Sequence, residues 1–285
     1  MAEKTVRLIS PRGFCAGVRG ALNAFERARK NNSGTIYVLN ELVHNRRVGS
    51  EMLRQGAVFV KSLDEVPDGS TLLFGAHGVG RNEEETARRK ALNVIDAGCP
   101  RVKRLHHAAA ELTGENDLVI FGNPDHPEIR GVAGHSNAAR TFILNTVEEI
   151  SALPELHDPV LLSQTTRDHL EIETFTAALK ERFPALSAKG KVCDAVYRRQ
   201  QAVEAAAQDA DLIIIAGSPH SSNARRMCEI ARRMGKESLL IDTVSELPDI
   251  SGFDRIALSA GASTPDPAVQ EILARLTELG WKLLS

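Results

Sequence analysis

The chain of 285 residues is longer than a usual single domain, so it holds two or three modules or one large α/β body. Hydrophobic residues make up 42% and charged residues 25% of it, which excludes disordered, collagen-like and low-complexity classes. A net charge of -2 and an aromatic content of 4% argue against a nucleic-acid-binding protein, which is usually more basic and more aromatic.

Short β-branched runs alternate with amphipathic stretches through the first third of the chain. Strands are predicted at residues 6–10, 35–39, 57–60 and 71–76, and helices at residues 18–30, 46–55 and 82–93. Because strands and helices alternate with short loops, we expect parallel sheets covered by helices on both faces. Ligands of such sheets bind beyond the carboxyl ends of the strands.

The sequence predicts a cytoplasmic protein that does not enter a membrane. No apolar run approaches the ~18 residues that cross a bilayer. The first ten residues carry charges but no apolar block of signal-peptide length. Disulfides are therefore not expected, and the four cysteines need another role as buried small residues, metal ligands or catalytic thiols.

The chain contains a threefold repeat. Cys15, Cys99 and Cys193 are separated by 84 and 94 residues. A phrase made of a β-run, a small polar residue and an acidic turn keeps a similar interval, at residues 59–67, 142–150 and 239–248. This spacing favours three αβα units over strand and glycine-loop phrases at irregular intervals. The predicted units are residues 1–98, 99–192 and 193–285. If they pack around a pseudo-threefold axis, their strand-end loops converge on one central pocket.

Each of the three spaced cysteines lies at a predicted junction between a strand and a helix. Cys99 shows this best, because Pro100 is favoured at the first position of a helix. The helix dipole favours the thiolate, which is the form that binds soft metals. Three thiolates suit an iron–sulfur cluster with one open iron, or a zinc site completed by another ligand. The alternative is three buried structural cysteines. Cys228 lies off the repeat, in a predicted helix at residues 222–234, and is assigned to core packing.

The strand-end loops also carry donors suited to an anion. These donors are His44, His77, Thr165, Ser221, Ser222, Asn223 and Ser263. Several precede predicted helices, whose free N–H groups and dipoles favour phosphate, so the loops could hold a diphosphate without an arginine clamp. For a single serine the alternative is an N-cap, and Ser222 or residues 263–265 could be both cap and ligand.

Glu128, in the loop of residues 126–128, is the one carboxylate that the strand-end loops bring toward the predicted pocket. It is placed to deliver protons, and the alternative is an ordinary glutamate in the first turn of a helix. Basic residues follow the cysteines, where they could steer an acidic electron carrier or form a solvated face. They are Arg19, Arg101, Lys103, Arg104, Arg198 and Arg199.

The motifs together resemble the 4-hydroxy-3-methylbut-2-enyl diphosphate reductase family. They occur in the order of that family and extend over nearly the whole chain, and they are highly specific together although each is weak alone. The motifs are RGFCAGV (12–18), VHNR (43–46), AHGV (76–79), DAGCP (96–100), HPE (126–128), QTT (164–166), CDA (193–195), SSN (221–223) and GASTPD (261–266).

The resemblance implies a trefoil of three αβα units around a [4Fe-4S] cluster. It implies reductive removal of an allylic hydroxyl, with isopentenyl and dimethylallyl diphosphate as products and a ferredoxin- or flavodoxin-type protein as electron donor. Cys15, Cys99 and Cys193 would be the cluster ligands, and Glu128 would relay protons. Thr165 would contact the region of the substrate hydroxyl, and His126 would line the pocket. The diphosphate would be held by His44, His77, Ser221, Ser222, Asn223 and Ser263.

The chain departs from the family pattern at Gly98, Val132 and Val196, where the family usually has threonine. These changes leave open a paralogue that acts on a different allylic or small diphosphate. Two other classes of function also stay open. A cluster-dependent hydratase or dehydratase would need no reductant, and a cluster sensor would bind no small diphosphate and would not need Glu128.

Overall fold

The computed structural model describes residues 3–284, which form parallel strands separated by helices. The strands are β1 (Thr5–Leu8), β2 (Ile36–Leu39), β3 (Ala57–Val60), β4 (Thr71–Phe74), β5 (Asn93–Asp96), β6 (Asp117–Phe121), β7 (Arg140–Leu144), β8 (Val160–Ser163), β9 (Ser187–Ala188), β10 (Leu212–Ala216), β11 (Glu237–Ile241), β12 (Arg255–Ala260) and β13 (Lys282–Leu284). The helices are α1 (Ala16–Asn31), α2 (Arg46–Arg54), α3 (Arg81–Arg89), α4 (Pro100–Ala110), α5 (Pro127–Gly134), α6 (His169–Arg182), α7 (Asp194–Ala206), α8 (Ser222–Arg233) and α9 (Asp266–Glu278).

The strands form parallel sheets that share one order. Two sheets run β3-β2-β4-β5 and β7-β6-β8-β9, and a third runs β11-β10-β12-β1-β13. All their pairings are parallel, so the predicted α/β class with three mainly parallel sheets is confirmed. In the third sheet β1 takes the position that β5 and β9 hold in the other two. The strand before Cys15 therefore belongs to the sheet built by the last third of the chain.

Contacts between Cα atoms divide the chain into two compact units. Unit 1 comprises the described residues up to 15, residues 44–48 and those from 194 onward, and it contains the third sheet. Unit 2 comprises residues 16–43 and 49–193, and it contains the other two sheets. The domain boundaries expected at 98/99 and 192/193 stay a prediction.

Burial explains why the central strands form. Strands β6, β8 and β10 are buried along their whole length, as expected for parallel strands with helices on both faces. The β-branched run Leu212–Ala216 packs against apolar residues of α8 on one face and of α9 on the other. Among the described residues no helix is long and apolar enough to cross a membrane.

A glutamate accounts for the phrase that repeats in the sequence. After β3, β7 and β11, a short turn brings a carboxylate back to the backbone at the strand end. The carboxylate of Glu65 accepts hydrogen bonds from the amides of Lys61 and Ser62, both at 2.8 Å. Glu149 accepts from the amide of Asn145 (2.6 Å), and Glu246 accepts from the amide of Asp242 (2.7 Å). The small polar residue and the acid thus form one terminating turn in each sheet.

The predicted helix at residues 82–93 is too long. Helix α3 ends at Arg89, because Ala91 adopts a positive φ of 48° and the chain then enters β5 at Asn93. The strands predicted at residues 6–10 and 71–76 are also too long. The observed strands β1 and β4 end at Leu8 and Phe74, two residues before the predicted ends.

Gly190 lies where the loop before Cys193 crosses the end of β8. A β-carbon at Gly190 would lie 2.2 Å from the amide nitrogen of Ser163. We expect Gly190→Ala to lower the free energy of unfolding by roughly 1–3 kcal/mol in urea denaturation, because backbone must move to accept the methyl group. Gly114→Ala is the matched control, since no atom lies within 4 Å of its β-carbon position. Equal stability of the two variants would contradict this crossing.

Candidate functional site

The three spaced cysteines occupy equivalent positions in the fold. Cys15, Cys99 and Cys193 form no disulfide and are half-buried, and they immediately precede α1, α4 and α7 respectively. Cys99 is the N-cap of its helix, and Pro100 occupies the first helical position. The prediction that each cysteine lies at a junction between a strand and a helix is therefore confirmed.

Backbone hydrogen bonds hold the three cysteines in the same way. The amide of Cys99 donates to the carbonyl oxygen of Ala76 (2.9 Å), two residues beyond β4. The amide of Cys193 donates to the carbonyl of Thr165 (3.0 Å), two residues beyond β8. The amide of Cys15 donates to the carbonyl of Ala262 (3.0 Å), two residues beyond β12. Each thiol thus stands beyond the carboxyl end of a parallel sheet, where such sheets bind ligands.

Each of the three thiols is chemically suited to bind a soft metal or an iron–sulfur cluster. The three cysteines form no disulfide, are half-buried, and each immediately precedes a helix. Cys228 differs in both respects, because it lies inside α8 and is 2% exposed. Burial raises the pKa of the Cys228 thiol to about 11. The assignment of Cys228 to the core is confirmed.

Glu128 is a buried acidic residue of unit 2. It lies in the first turn of α5 and is 1% exposed. Its Oε1 accepts a hydrogen bond from the amide of Thr165 (2.6 Å), and its Oε2 accepts one from the Thr165 hydroxyl (2.8 Å). Glu128 thus lies in the first turn of a helix, as the alternative expected, but it is buried, whereas most first-turn glutamates are exposed to solvent. Two donors from one residue fix the plane and position of the carboxylate.

His126 and His77 lie beside this carboxylate on the same unit. Nδ1 of His126 accepts a hydrogen bond from the amide of Glu128 (3.2 Å) and caps α5. Since Nδ1 is the acceptor, the ring proton of a neutral His126 lies on Nε2. The rings of His77 and His126 meet edge to face, with centroids 5.4 Å apart. The predicted residues His77, His126, Glu128, Thr165 and Cys193 are thus linked in one continuous set.

The predicted residues of unit 1 form a second set. Ser221 caps α8 through its hydroxyl, which accepts from the amide of Ala224 (3.3 Å), and Ser222 and Asn223 begin the helix. The hydroxyl of Ser263 donates to the carbonyl oxygen of His44 (3.0 Å). These residues present a helix N-terminus together with side-chain donors, which is an arrangement that favours anions.

Three details of the sequence interpretation are wrong. The cap of α8 is Ser221 and not Ser222. Neither Ser263 nor Thr264 caps α9, because the Ser263 hydroxyl bonds to His44 and the Thr264 hydroxyl donates to the carbonyl of Ala216. Arg199 is buried and donates to the carbonyl oxygen of Gly13 (2.6 Å), so it supports the loop before Cys15 and does not belong to a solvated basic face.

A model of the family described as LytB protein matches residues 6–277. The chain belongs to the LytB protein family. A relative from Stenotrophomonas maltophilia (strain K279a), named 4-hydroxy-3-methylbut-2-enyl diphosphate reductase, is 40% identical, and the match covers 96% of this chain and 90% of the relative. A relative of the same name from Xanthomonas euvesicatoria pv. vesicatoria (strain 85-10) is also 40% identical, covering 98% of this chain and 91% of the relative.

Solved structures agree with this membership. The E-1-hydroxy-2-methyl-but-2-enyl-4-diphosphate reductase of Plasmodium falciparum superposes with a TM-score of 0.95 and 30% identity, covering 99% of this chain and 91% of that one. A structure of (E)-4-hydroxy-3-methyl-but-2-enyl diphosphate reductase gives a TM-score of 0.68 and 31% identity, covering 98% of this chain and 100% of that one. The family resemblance found in the motifs is therefore confirmed, as is the fold class.

At each of the three departures from the family pattern, the LytB-family chain has a residue without a polar side chain. Val132 and Val196 are buried valines. Gly98 makes room for an ion pair, because a β-carbon there would lie 2.8 Å from Oδ1 of Asp96 and 2.9 Å from Cε of Lys103. The ammonium of Lys103 lies 2.5 Å from the Asp96 carboxylate. Restoring threonine at position 98 would require this ion pair to move.

Two polar residues of the LytB-family chain, Gln164 and His106, were assigned no role from the sequence. Gln164 accepts a hydrogen bond from the amide of Asn123 (3.0 Å) and donates to the Thr166 hydroxyl (3.0 Å), so it joins the loops beyond β6 and β8. Its place in the QTT motif was the available signal. His106 lies two helical turns after Cys99 on α4, and only this spacing could have indicated it.

The thiols of the metal-free LytB-family chain should differ in reactivity. We expect iodoacetamide near neutral pH to modify Cys15, Cys99 and Cys193 and to spare Cys228 until the protein is unfolded, because the buried thiol with a pKa of about 11 forms little thiolate. Peptide mapping by mass spectrometry measures the four sites separately. Native modification of Cys228 at the rate of the other three would contradict the assignment.

Proposed function

We propose that the chain is a [4Fe-4S]-dependent reductase of 4-hydroxy-3-methylbut-2-enyl diphosphate that forms isopentenyl and dimethylallyl diphosphate. The names of its relatives support the substrate and the reductase activity. The donor set of the three cysteines supports the cluster. A ferredoxin- or flavodoxin-type protein is the proposed electron donor.

Thr165 is the residue whose contacts carry the proposal. Its amide and hydroxyl both donate to Glu128, and its carbonyl oxygen accepts from the amide of Cys193. One residue thus connects a buried carboxylate to a proposed cluster ligand. This contact supports Glu128 as a proton donor, because proton delivery requires an acid held in a fixed position.

The thiols of Cys15, Cys99 and Cys193 would hold the cluster. When bound, the cluster supplies electrons and a Lewis-acidic iron that has no cysteine ligand. The residues of the chain then have three tasks: to bind the diphosphate, to orient the hydroxyl and to move protons.

The diphosphate would be bound by N–H and O–H donors from the strand-end loops and by the N-terminus of α8. These donors are His44, His77, His126, Ser221, Ser222, Asn223 and Ser263. The capped start of α8 and the Nε2 proton of His126 support this role. Neutral donors avoid the need for an arginine clamp.

Glu128 is the proposed proton relay, and Thr165 would orient the substrate hydroxyl toward it. The reaction breaks the bond between carbon and the hydroxyl oxygen and forms one bond between carbon and hydrogen. It consumes two electrons and two protons, and the oxygen leaves as water. Glu128 would deliver the proton that makes the hydroxyl a good leaving group, and it would be recharged from solvent.

The test of this function is reductant oxidation by the anaerobically reconstituted protein. We expect reduced methyl viologen to be oxidised when 4-hydroxy-3-methylbut-2-enyl diphosphate is added. Glu128→Gln should lower kcat by about 10²–10⁴-fold, because a positioned acid contributes that much. Thr165→Val should lower kcat by roughly tenfold, since it removes one hydrogen bond to the carboxylate.

Thr165→Ser is the matched control, because it keeps the hydroxyl and should retain most of the activity. A cluster-loaded wild-type protein that oxidises no viologen would refute the substrate assignment. The changes at Gly98, Val132 and Val196 would then direct the search to other small diphosphates. Turnover without a reductant would indicate a hydratase.

Iron content tests the cluster ligands independently of turnover. After anaerobic reconstitution with iron and sulfide, we expect Cys99→Ala to lose most of its iron, because a lost thiolate leaves the cluster with two protein ligands. Cys228→Ala should retain the wild-type content of iron and acid-labile sulfide. Wild-type iron in Cys99→Ala would rule out Cys99 as a ligand.

A further inference from the structure

A pair of stacked imidazoles lies beside the loops that carry His77 and Glu128, and the proposed mechanism does not use it. His106 on α4 and His135 at the end of α5 stack with ring centroids 4.4 Å apart and planes inclined by 25°. Nε2 of His106 is buried and has no hydrogen-bond partner. Because Nε2 makes no hydrogen bond, we look for the role of the His106 side chain in its packing.

Two glycines make space for the His106 ring. A β-carbon at Gly78 would lie 2.5 Å from Cε1 of His106, and one at Gly131 would lie 2.9 Å from its Nε2. Gly78 also has a φ of +69°, which by itself favours glycine. Gly131 has no positive φ that would favour glycine. It lies within α5, where glycine costs about 1 kcal/mol relative to alanine. The contact with His106 accounts for glycine at this position.

The same two segments are tied together on the other side of the imidazole pair. Nε2 of His135 donates a hydrogen bond to the carbonyl oxygen of Val79 (3.1 Å). Arg81 donates to the carbonyl of His135 (3.2 Å) and to the side chain of Asn137 (3.1 Å). The turn that begins at His77 is thereby joined to the C-terminal end of α5. His106 stands between this turn and the helix as a spacer of defined thickness.

We infer that His106 is a positioning residue that sets the separation of the His77 turn from α5, and thereby the orientation of His77 toward His126. The observed edge-to-face arrangement of the two rings at 5.4 Å is the geometry that this spacer maintains. The inference rests on the proposed function only where it assigns diphosphate binding to these two histidines.

The charge state of His106 suits a spacer. Burial lowers its pKa to about 4, and the neighbouring charges of His135, His107 and Lys103 act in the same direction, against the opposing effect of Asp96. The ring is therefore neutral near neutral pH. A neutral ring adds no fixed charge beside the donors of the neighbouring loops.

The test compares His106→Ala with His107→Ala, an exposed histidine at the next position of the same helix. NMR of the histidine ring signals of the folded apo protein is the first readout, with His77 and His126 assigned from their own variants. Titration with inorganic diphosphate is the second, and thermal unfolding the third. We expect His106→Ala to shift the His77 and His126 signals and to weaken diphosphate binding about tenfold, or 1.4 kcal/mol. His107→Ala should change neither the His77 and His126 signals nor the diphosphate affinity.

The readouts separate this inference from the proposed function. Unchanged His77 and His126 signals with a lowered melting temperature would overturn it, because His106 would then serve only in packing. Shifted signals with unchanged diphosphate affinity would also overturn it. If wild-type protein binds no diphosphate but the ring signals still shift in His106→Ala, the proposed function fails and the positioning role stands.

Gly131→Ala provides a second variant should His106→Ala not fold. Its methyl group would press on Nε2 of His106 and displace the ring by a few tenths of an ångström. We expect the same two histidine signals to move. In a protein that also carries His106→Ala, the new methyl group meets no imidazole ring. We therefore expect Gly131→Ala to shift the His77 and His126 signals less in that protein than in wild type. An equal shift in both would contradict the contact.

Discussion

Each of the three spaced cysteines is held by a backbone hydrogen bond between two loops that follow paired strands of a parallel sheet. The strand before the cysteine pairs with the strand before the accepting carbonyl: β5 with β4, β9 with β8 and β1 with β12. The accepting carbonyl lies two residues past the end of its strand in all three cases. This contact holds each cysteine beyond the carboxyl end of its own sheet.

In unit 2 this contact connects Cys193 to Thr165, which in turn binds Glu128. Thr165 uses its carbonyl oxygen for Cys193 and its two donors for Glu128, so it satisfies its own backbone and holds a buried carboxylate at once. A buried carboxylate without such partners would be strongly destabilising. The same residue that lowers this penalty also bonds to the backbone amide of Cys193. Stability and the proposed proton relay therefore have one structural cause.

Much of this arrangement is local and was predictable from sequence. Proline at the first helical position predicted the helix start after Cys99, and buried β-branched runs predicted β2 and β4, the central strands of the first sheet. Strand ends and one helix end were predicted less well. Ala91 takes a positive φ, which an alanine does not signal, and β5 begins two residues later.

The sequence by itself determined the family, the α/β class, the threefold repeat and the identity of the chemical groups, because motifs and hydrophobic periodicity are properties of short segments. Only the tertiary structure decided that β1 joins the sheet of the last third of the chain. It likewise decided that Thr165 takes both oxygens of Glu128, 37 residues away, and that Gly131 accommodates His106. Such contacts join side chains far apart in sequence, and packing alone selects them from many possible pairs.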